Sequence, residues 1–169
     1  MPDATGLELL AGELRDRDPD AVLGTLHFRE HATLLVHPNA VPDTLEHLRG
    51  KGYRFLASVH GVDYFPEEPR FGVHYELLDM QRVDRINVKT RVHLEHPHVP
   101  SVTPAWPTAD HQEREIWDMF GVIFDGHPDL RRILMPEDYE GHPQRRDFPM
   151  GGEPILFTHN EAHQPGWWK

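Results

Sequence analysis

Apolar positions change their spacing along this chain, and each change marks an element. In residues 6–17, GLELLAGELRDR, Leu7, Leu10 and Leu14 recur at helical intervals. Residues 22–29, VLGTLHFR, and 32–37, ATLLVH, are rich in β-formers and lie one short connection apart, which predicts a hairpin. Pro38-Asn39 ends the second strand. Residues 42–50, PDTLEHLRG, predict a short helix, with Pro42 and Asp43 near its start, Leu45 and Leu48 inward, and Gly50 or Gly52 at its end. Three further strands are predicted at 53–62, 71–80 and 85–94, the first two separated by a Pro- and Glu-rich loop from Asp63 to Arg70. In the last, Ile86, Val88, Thr90, Val92 and Leu94 share one face, while Asn87, Lys89, Arg91 and His93 share the other. A period of two with one apolar face is the mark of a half-solvated strand. The order helix, two strands, helix, three strands predicts a two-layer α+β fold, with helices on one face of a mostly antiparallel or mixed five-stranded sheet.

Pro97, Pro100, Pro104 and Pro107 predict an extended connector into a last helix at 110–120. Asp110 is placed to cap it, Glu113 to complete a capping box, and Gly121 to stop it. Ile116, Met119 and Phe120 form its apolar stripe, and Arg114 and Asp118, four apart, are spaced to pair. Residues 1–121 therefore read as one α+β domain. Residues 122–169 read as an extended segment with neither helix nor strand period. That segment is rich in Gly, Pro and Arg, yet it holds Ile123, Phe124, Leu130, Ile133, Leu134, Met135, Tyr139 and Phe148. Exposing so much apolar surface is unfavourable, and structureless loops of this length are uncommon in compact domains. The expectation is that the segment lies against another protein, with Trp167-Trp168 as terminal aromatic anchors. A tail without fixed structure is the alternative for that terminus.

Composition removes several kinds of chemistry. With no cysteine, disulfides, thiolate nucleophiles, Cys-ligated zinc and ordinary iron–sulfur ligation are excluded. A formal charge of −11 argues against broad phosphate-backbone binding, so no nucleic-acid partner is expected. Protonating all 14 histidines would carry the charge to +3. Of 17 basic residues, 14 are Arg. There is no secretory signal at the N-terminus and no run of 18 apolar residues, so membrane association is expected only through an assembly.

Two clusters could carry chemistry. His111, Glu115 and Asp118 share one side of the last helix and could chelate a divalent metal or act as acid and base. The plain alternative is a charged helix face pairing with nearby Arg. His93, Glu95, His96 and His98 could hold zinc or nickel, but Pro97 and Pro100 disrupt regular geometry, and a solvated loop is the competing reading. His27, His31, His37, His60 and His74, in or beside strands, are expected to be half-buried and hydrogen-bonded. No metalloprotease, nucleophile-elbow or phosphate-loop motif is present. A small echo joins GHPDLRR at 126–132 to GHPQRR at 141–146: two tight turns, each followed by paired Arg.

One longer pattern is far more specific. Glu113, Arg114, Glu115, Ile116, Trp117, Asp118, Met119, Phe120 and Gly121, continuing through His127, Pro128, Asp129, Leu130, Arg131, Arg132, Ile133 and Leu134, resemble the signature of the thirty-kilodalton subunit of respiratory complex I. Met135-Pro136-Glu137-Asp138, Gly141-His142-Pro143 and Arg146-Asp147-Phe148-Pro149 resemble its downstream pattern, as do Pro100-Ser101-Val102-Thr103 and Trp106 upstream. The resemblance is dense from about 100 to 150 and looser from 53 to 95. It implies a non-catalytic scaffold subunit of a proton-translocating NADH:quinone oxidoreductase, on the cytoplasmic side of a bacterial cell membrane. FMN, iron–sulfur clusters and quinone would be held by other subunits, and no cofactor by this one. Its partners would be the quinone-pocket subunit of the forty-nine-kilodalton type and neighbouring iron–sulfur subunits. Arg131, Arg132, Arg145 and Arg146 would pair with partner carboxylates, and Leu130, Ile133, Leu134 and Phe148 would be buried anchors. The chain is shorter than many such subunits, so longer C-terminal contacts would be missing. The family is shared with membrane-bound hydrogenases and other donor-linked oxidoreductases, so the same scaffold role in one of those is the alternative. A stand-alone metal enzyme built on His111, Glu115 and Asp118 is the third.

Overall fold

The computed structural model describes residues 3–29 and 31–149. Helix α1 (Ala4–Arg15) starts where the Asp3 carboxylate accepts the Gly6 N–H. Strands β1 (Val22–Phe28) and β2 (His31–Val36) form the expected antiparallel hairpin. Helix α2 (Val41–Gly50) opens with Pro42 in its first turn. Strands β3 (Phe55–Asp63), β4 (Phe71–Asp79) and β5 (Asp84–Val92) follow as an antiparallel meander. The five strands lie in the order β1-β2-β5-β4-β3, with β2 and β5 parallel. The sheet is thus mixed, as the α2 crossover from β2 to the far strands requires.

One face of this sheet is the core. Leu34 and Val36 of β2, Val73, Tyr75 and Leu77 of β4, and Ile86 and Val88 of β5 are buried beneath Leu7, Ala11 and Leu14 of α1 and Leu45 and Leu48 of α2. The alternation read in β5 holds through Val92. Leu94, expected on the same inward face, is exposed because the strand has already ended. The opposite face is polar: His60 and His74 face one another across β3 and β4, and Lys89 follows on β5.

The proline-rich connector forms β6 (His98–Pro100), and α3 (Asp110–Phe120) then packs on β3. Gly61 makes that approach close, since a Cβ there would meet the Phe120 ring and Ile116. After α3, β7 (Ile123–Asp125) pairs in parallel with β6, so the chain beyond residue 121 begins as part of the domain. Its Phe124 side chain is fully buried.

The histidine expectation is largely corrected. His27, His31, His37 and His60 are exposed, and only His74 is half-buried, with its Nε2 3.1 Å from the Tyr64 hydroxyl. Strand position does not bury a side chain on the polar face, and these lie at edges or on that face. Burial, helped by Lys89 and His60 nearby, lowers the His74 pKa to about 4.

Candidate functional site

The dense sequence pattern folds into one structure around α3, built on two buried carboxylates of that helix. The first is Asp118. Helical spacing groups it with His111 and Glu115 on a surface face, but those two are exposed while Asp118 is 0 % exposed. The segment after α3 turns back and covers it. Asp118 Oδ2 accepts three successive backbone N–H groups, from Ile133 at 3.1 Å, Leu134 at 2.8 Å and Met135 at 2.9 Å. Asp118 Oδ1 accepts Arg132 Nη1 at 2.5 Å. Burial by itself would raise this carboxyl, but the three N–H donors and the guanidinium outweigh it and hold its pKa below the usual range. Arg132 is used up within the chain, since its Nη2 also donates to the carbonyls of Tyr139 and Gly141.

The same segment closes the helix end. An α-helix leaves its last four carbonyls without intrahelical partners. Here Trp117 O accepts the Gly121 N–H, Asp118 O accepts from His142 Nδ1 at 2.9 Å, Met119 O accepts the Gln144 N–H, and Phe120 O accepts Arg145 Nε at 2.7 Å. The GHPQRR motif is therefore a C-terminal cap, with the Arg145 cation at the negative end of the helix dipole. Gly121 has φ +80°, and its open side is filled by His142 and Arg145, so this position demands glycine twice over. Burial lowers the His142 pKa, which keeps the ring neutral beside Arg132 and Arg145.

The second carboxylate is Glu113, also 0 % exposed. It does not form a capping box: Ala109 is the N-cap and Asp110 is already helical. Glu113 instead accepts Ser101 Oγ at 2.6 Å, the Val102 N–H at 2.8 Å and Thr103 Oγ1 at 3.1 Å. The Ser-Val-Thr phrase upstream of the helix is thus its docking cradle. Burial raises the Glu113 pKa, and these three bonds only partly offset it. Its neutral form therefore favours the folded state. That contribution is present below the ordinary glutamate range and is lost as pH rises through the raised folded value. Glu113→Gln is expected to fold and to gain stability relative to wild type as pH rises, because its amide can donate to the two hydroxyls and its oxygen can accept the Val102 N–H. Denaturant unfolding across mildly acidic to alkaline pH checks this; a constant difference between the two chains would refute it.

A third anchor ties the far end of the segment to the sheet. Arg70 forms a forked pair with Asp63 at 2.9 and 2.8 Å and reaches Asp147 with its other face, while Asp63 Oδ2 also accepts the Arg146 N–H at 2.9 Å. Arg146 Nη1 donates to Phe65 O. Phe148 stacks against Tyr139 and lies beside Gly141. Nothing in the sequence separation of Arg70 and Asp147 announces this contact, and Asp63 and Arg70 stand out only as the ends of the Pro- and Glu-rich loop.

Several expectations change accordingly. Arg114 does not pair with Asp118; it donates to the carbonyls of Arg131 and Arg132, because Asp118 faces the covering segment. Arg132 pairs with Asp118, and Arg145 donates its Nε to the Phe120 carbonyl, both within the chain. Arg131 is exposed and paired with Asp129. Leu130 packs partly on the core, whereas Ile133 is 38 % exposed and Leu134 59 %. His127 Nε2 sits 3.3 Å from the Asp110 carbonyl, placing Pro128 at an exposed turn. Pro143 is half-buried and Pro149 exposed. Among the described residues no group of His, Asp and Glu is placed to hold a metal. His93 pairs with Glu68, His98 pairs with Asp125, and Glu95 and His96 are exposed. Trp167 and Trp168 lie outside the described residues.

Residues 34–154 match the family described as the 30 Kd subunit of respiratory-chain NADH dehydrogenase. The C subunit of NADH-quinone oxidoreductase from Roseiflexus sp. (strain RS-1) is 45 % identical over 98 % of this chain and 97 % of its own length. The protein of the same name from Roseiflexus castenholzii is 47 % identical over 87 % of this chain and 88 % of its own. Among solved structures, a trypsin-resistant fragment (1–134) of Nqo5 superposes with TM-score 0.62 at 31 % identity, covering 73 % of this chain and 98 % of the fragment. A chain of a membrane-bound sulfane sulfur reductase, an archaeal respiratory membrane complex, superposes with TM-score 0.69 at 26 % identity over 85 % of each.

Proposed function

Since the chain belongs to the family of 30-kDa subunits of respiratory-chain NADH dehydrogenase, we propose that it is a scaffold subunit in the peripheral arm of a proton-translocating NADH:quinone oxidoreductase and performs no chemical step itself. Its site is a docking surface on the cytoplasmic side of the membrane, and FMN, iron–sulfur clusters and quinone belong to other subunits. No helix among the described residues is long and apolar enough to cross a membrane. The partner expected at this surface is the quinone-pocket subunit, with iron–sulfur subunits beside it.

One observation carries this reading. Asp118 fixes three consecutive backbone N–H groups, and the residues so fixed present Ile133 and Leu134 outward. An ordinary exposed loop has no need of such rigidity, whereas a pre-ordered apolar pair lowers the entropy cost of docking. Glu113, the buried acid with a raised pKa, is wrapped by Ser101, Val102 and Thr103, a setting suited to packing rather than to proton transfer with a substrate. The likeness to the sulfane sulfur reductase chain supports a second reading, the same scaffold role in a different respiratory membrane complex.

The test is capture of the tagged chain from detergent-solubilised membranes of cells carrying the complex. Wild type is expected to recover the quinone-pocket subunit. Leu134→Asp and Arg131→Glu are expected to lose at least tenfold in recovery while their unfolding curves stay near wild type, because both side chains are exposed. Recovery of no quinone-module subunit by wild type would sink the proposal, and subunits of another oxidoreductase would select the second reading.

A further inference from the structure

The turn that joins β4 to β5 carries the two most exposed large apolar side chains among the described residues, Val83 at 88 % and Met80 at 71 %. They continue an apolar strip on the sheet face away from the helices. Phe55 pairs in register with Leu78, and Leu78 with Arg85, so these three side chains form one row across β3, β4 and β5. Phe55 is exposed as well. Two hollows, of about 330 and about 410 Å³, share Leu78, Asp79 and Met80 as walls. Phe55 and Arg54 complete the first, and Val83 and Arg85 the second. This is the far end of β3 and β4 from the Asp63 and Arg70 anchor.

The turn is held rigidly. Asp79 Oδ1 accepts the N–H groups of Gln81 at 2.9 Å and Arg82 at 3.1 Å, and Arg82 pairs with Asp79 Oδ2 while donating to the Lys51 carbonyl. Val83 has φ +54°, a left-handed backbone that strains a β-branched residue and that asparagine or glycine adopts more readily. An exposed apolar side chain held at such a position contributes nothing to the isolated chain. It fits a surface shaped in advance for a contact.

The charges around the strip are of one sign. Asp79 is spent on Arg82, and Asp84 accepts the Tyr53 hydroxyl. Arg54 and Arg85 are exposed and have no ion-pair partner among the described residues. In a chain of formal charge −11, this is a local excess of cation beside an apolar strip. An anionic bilayer would be repelled by the rest of the chain, so the complementary surface is a small acidic one on a protein.

We propose that the β4–β5 turn seats a segment of a neighbouring subunit that carries an apolar side chain flanked by carboxylates. The apolar side chain enters the hollows beside Met80, against Phe55, Leu78 and Val83, and the carboxylates meet Arg54 and Arg85. The inference rests on the scaffold reading and adds a second docking point, on different elements from those that present Ile133 and Leu134. The apolar strip supplies the anchor, and the two arginines select the partner's charge.

The experiment uses the full chain in the same membrane capture, at low and moderate salt. Met80→Asp combined with Val83→Asn is expected to fold, since both positions are exposed, and to recover the quinone-module subunits at least tenfold less well than wild type. Arg54→Glu with Arg85→Glu should show a smaller loss that shrinks as salt rises. Val83→Asn alone separates binding from folding: it should raise the melting temperature of the isolated chain, by relieving the strained backbone, yet lower recovery. If wild type recovers its partners and the folded Met80, Val83 variant recovers them equally well, the turn is not a docking point while the scaffold role stands. An undiminished recovery by the arginine variant overturns the acidic partner. A lower melting temperature for Val83→Asn overturns the account of strain. Vesicles of phosphatidylglycerol and phosphatidylcholine should leave the chain in the supernatant; sedimentation with them that the Met80, Val83 variant loses would assign the turn to lipid and overturn the protein partner. Failure of wild type to recover any partner overturns the scaffold role and this inference with it.

Discussion

Asp118→Ala is expected to release the chain beyond α3 from the helix it covers. The substitution leaves the Arg132 guanidinium and the N–H groups of Ile133, Leu134 and Met135 without their acceptor in a half-buried setting. Removing one partner of a buried ion pair typically costs about 3–5 kcal/mol, far more than the pair is worth against a well-packed apolar replacement, because the remaining charge is stranded. The caps contributed by His142, Gln144 and Arg145 depend on the same fold-back, so the helix end should fray with it. Amide exchange should accelerate across residues 132–146 while β4 and β5 stay protected. Asp118→Asn is the sharper variant: it keeps the volume but replaces an acceptor by an NH₂ facing other donors, and should lose nearly as much. If the amides of Ile133 to Met135 exchange no faster in either variant, Asp118 is not what holds this segment.

The second large effect is expected at Arg70→Met. Arg70 is the shared donor of Asp63 and Asp147, and with it gone Asp63 becomes a buried carboxylate facing only the N–H groups of Phe65 and Arg146. A loss of about 3–5 kcal/mol is expected on the same ground. The pH dependence distinguishes the variants. Burial alone would raise the Asp63 carboxyl, but Arg70 and the two N–H donors outweigh it and bring its pKa down to about 2. A carboxyl depressed in the folded state stabilises it above the unfolded value, near 4, and that stabilisation drains away as pH falls toward the folded value. Wild type should therefore lose stability between about pH 4 and pH 2. Asp63→Asn should lie below wild type at neutral pH and converge on it in acid. Parallel curves for the two chains down to acid pH would show that Asp63 carries no such linkage.

These two knots separate what the sequence makes legible from what it hides. The periods of Leu7-Leu10-Leu14, of Leu45-Leu48 and of Ile86 to Val92 mark α1, α2 and β5 because local geometry sets which side chains share a face. Gly121 is readable as a helix stop for the same reason. Spacing alone places Asp118 in solvent, because an i, i+3, i+4 pattern says only that residues share a side, not what comes back to cover it. The capping box at Asp110 and Glu113 fails similarly: Ser101 to Thr103, upstream in the connector, compete for the Glu113 oxygens and win. Of the apolar residues beyond 121, Phe124 is buried in the domain by β7, which no period in the sequence marks, while Ile133 and Leu134 stay exposed.

By itself the order of residues determined the α+β class, the absence of cysteine chemistry and the kinship carried by residues 100–150, because each depends on local period, composition or unbroken pattern. Only the tertiary structure decided that Asp118, Glu113 and Arg70 are buried connectors and that Arg70, Arg132 and Arg145 are engaged within the chain. A carboxylate's role is set by which donors reach it through space. Those donors come from Ser101 to Thr103, from Arg132 to Met135 and from Arg70 and Arg146, at separations no periodicity records.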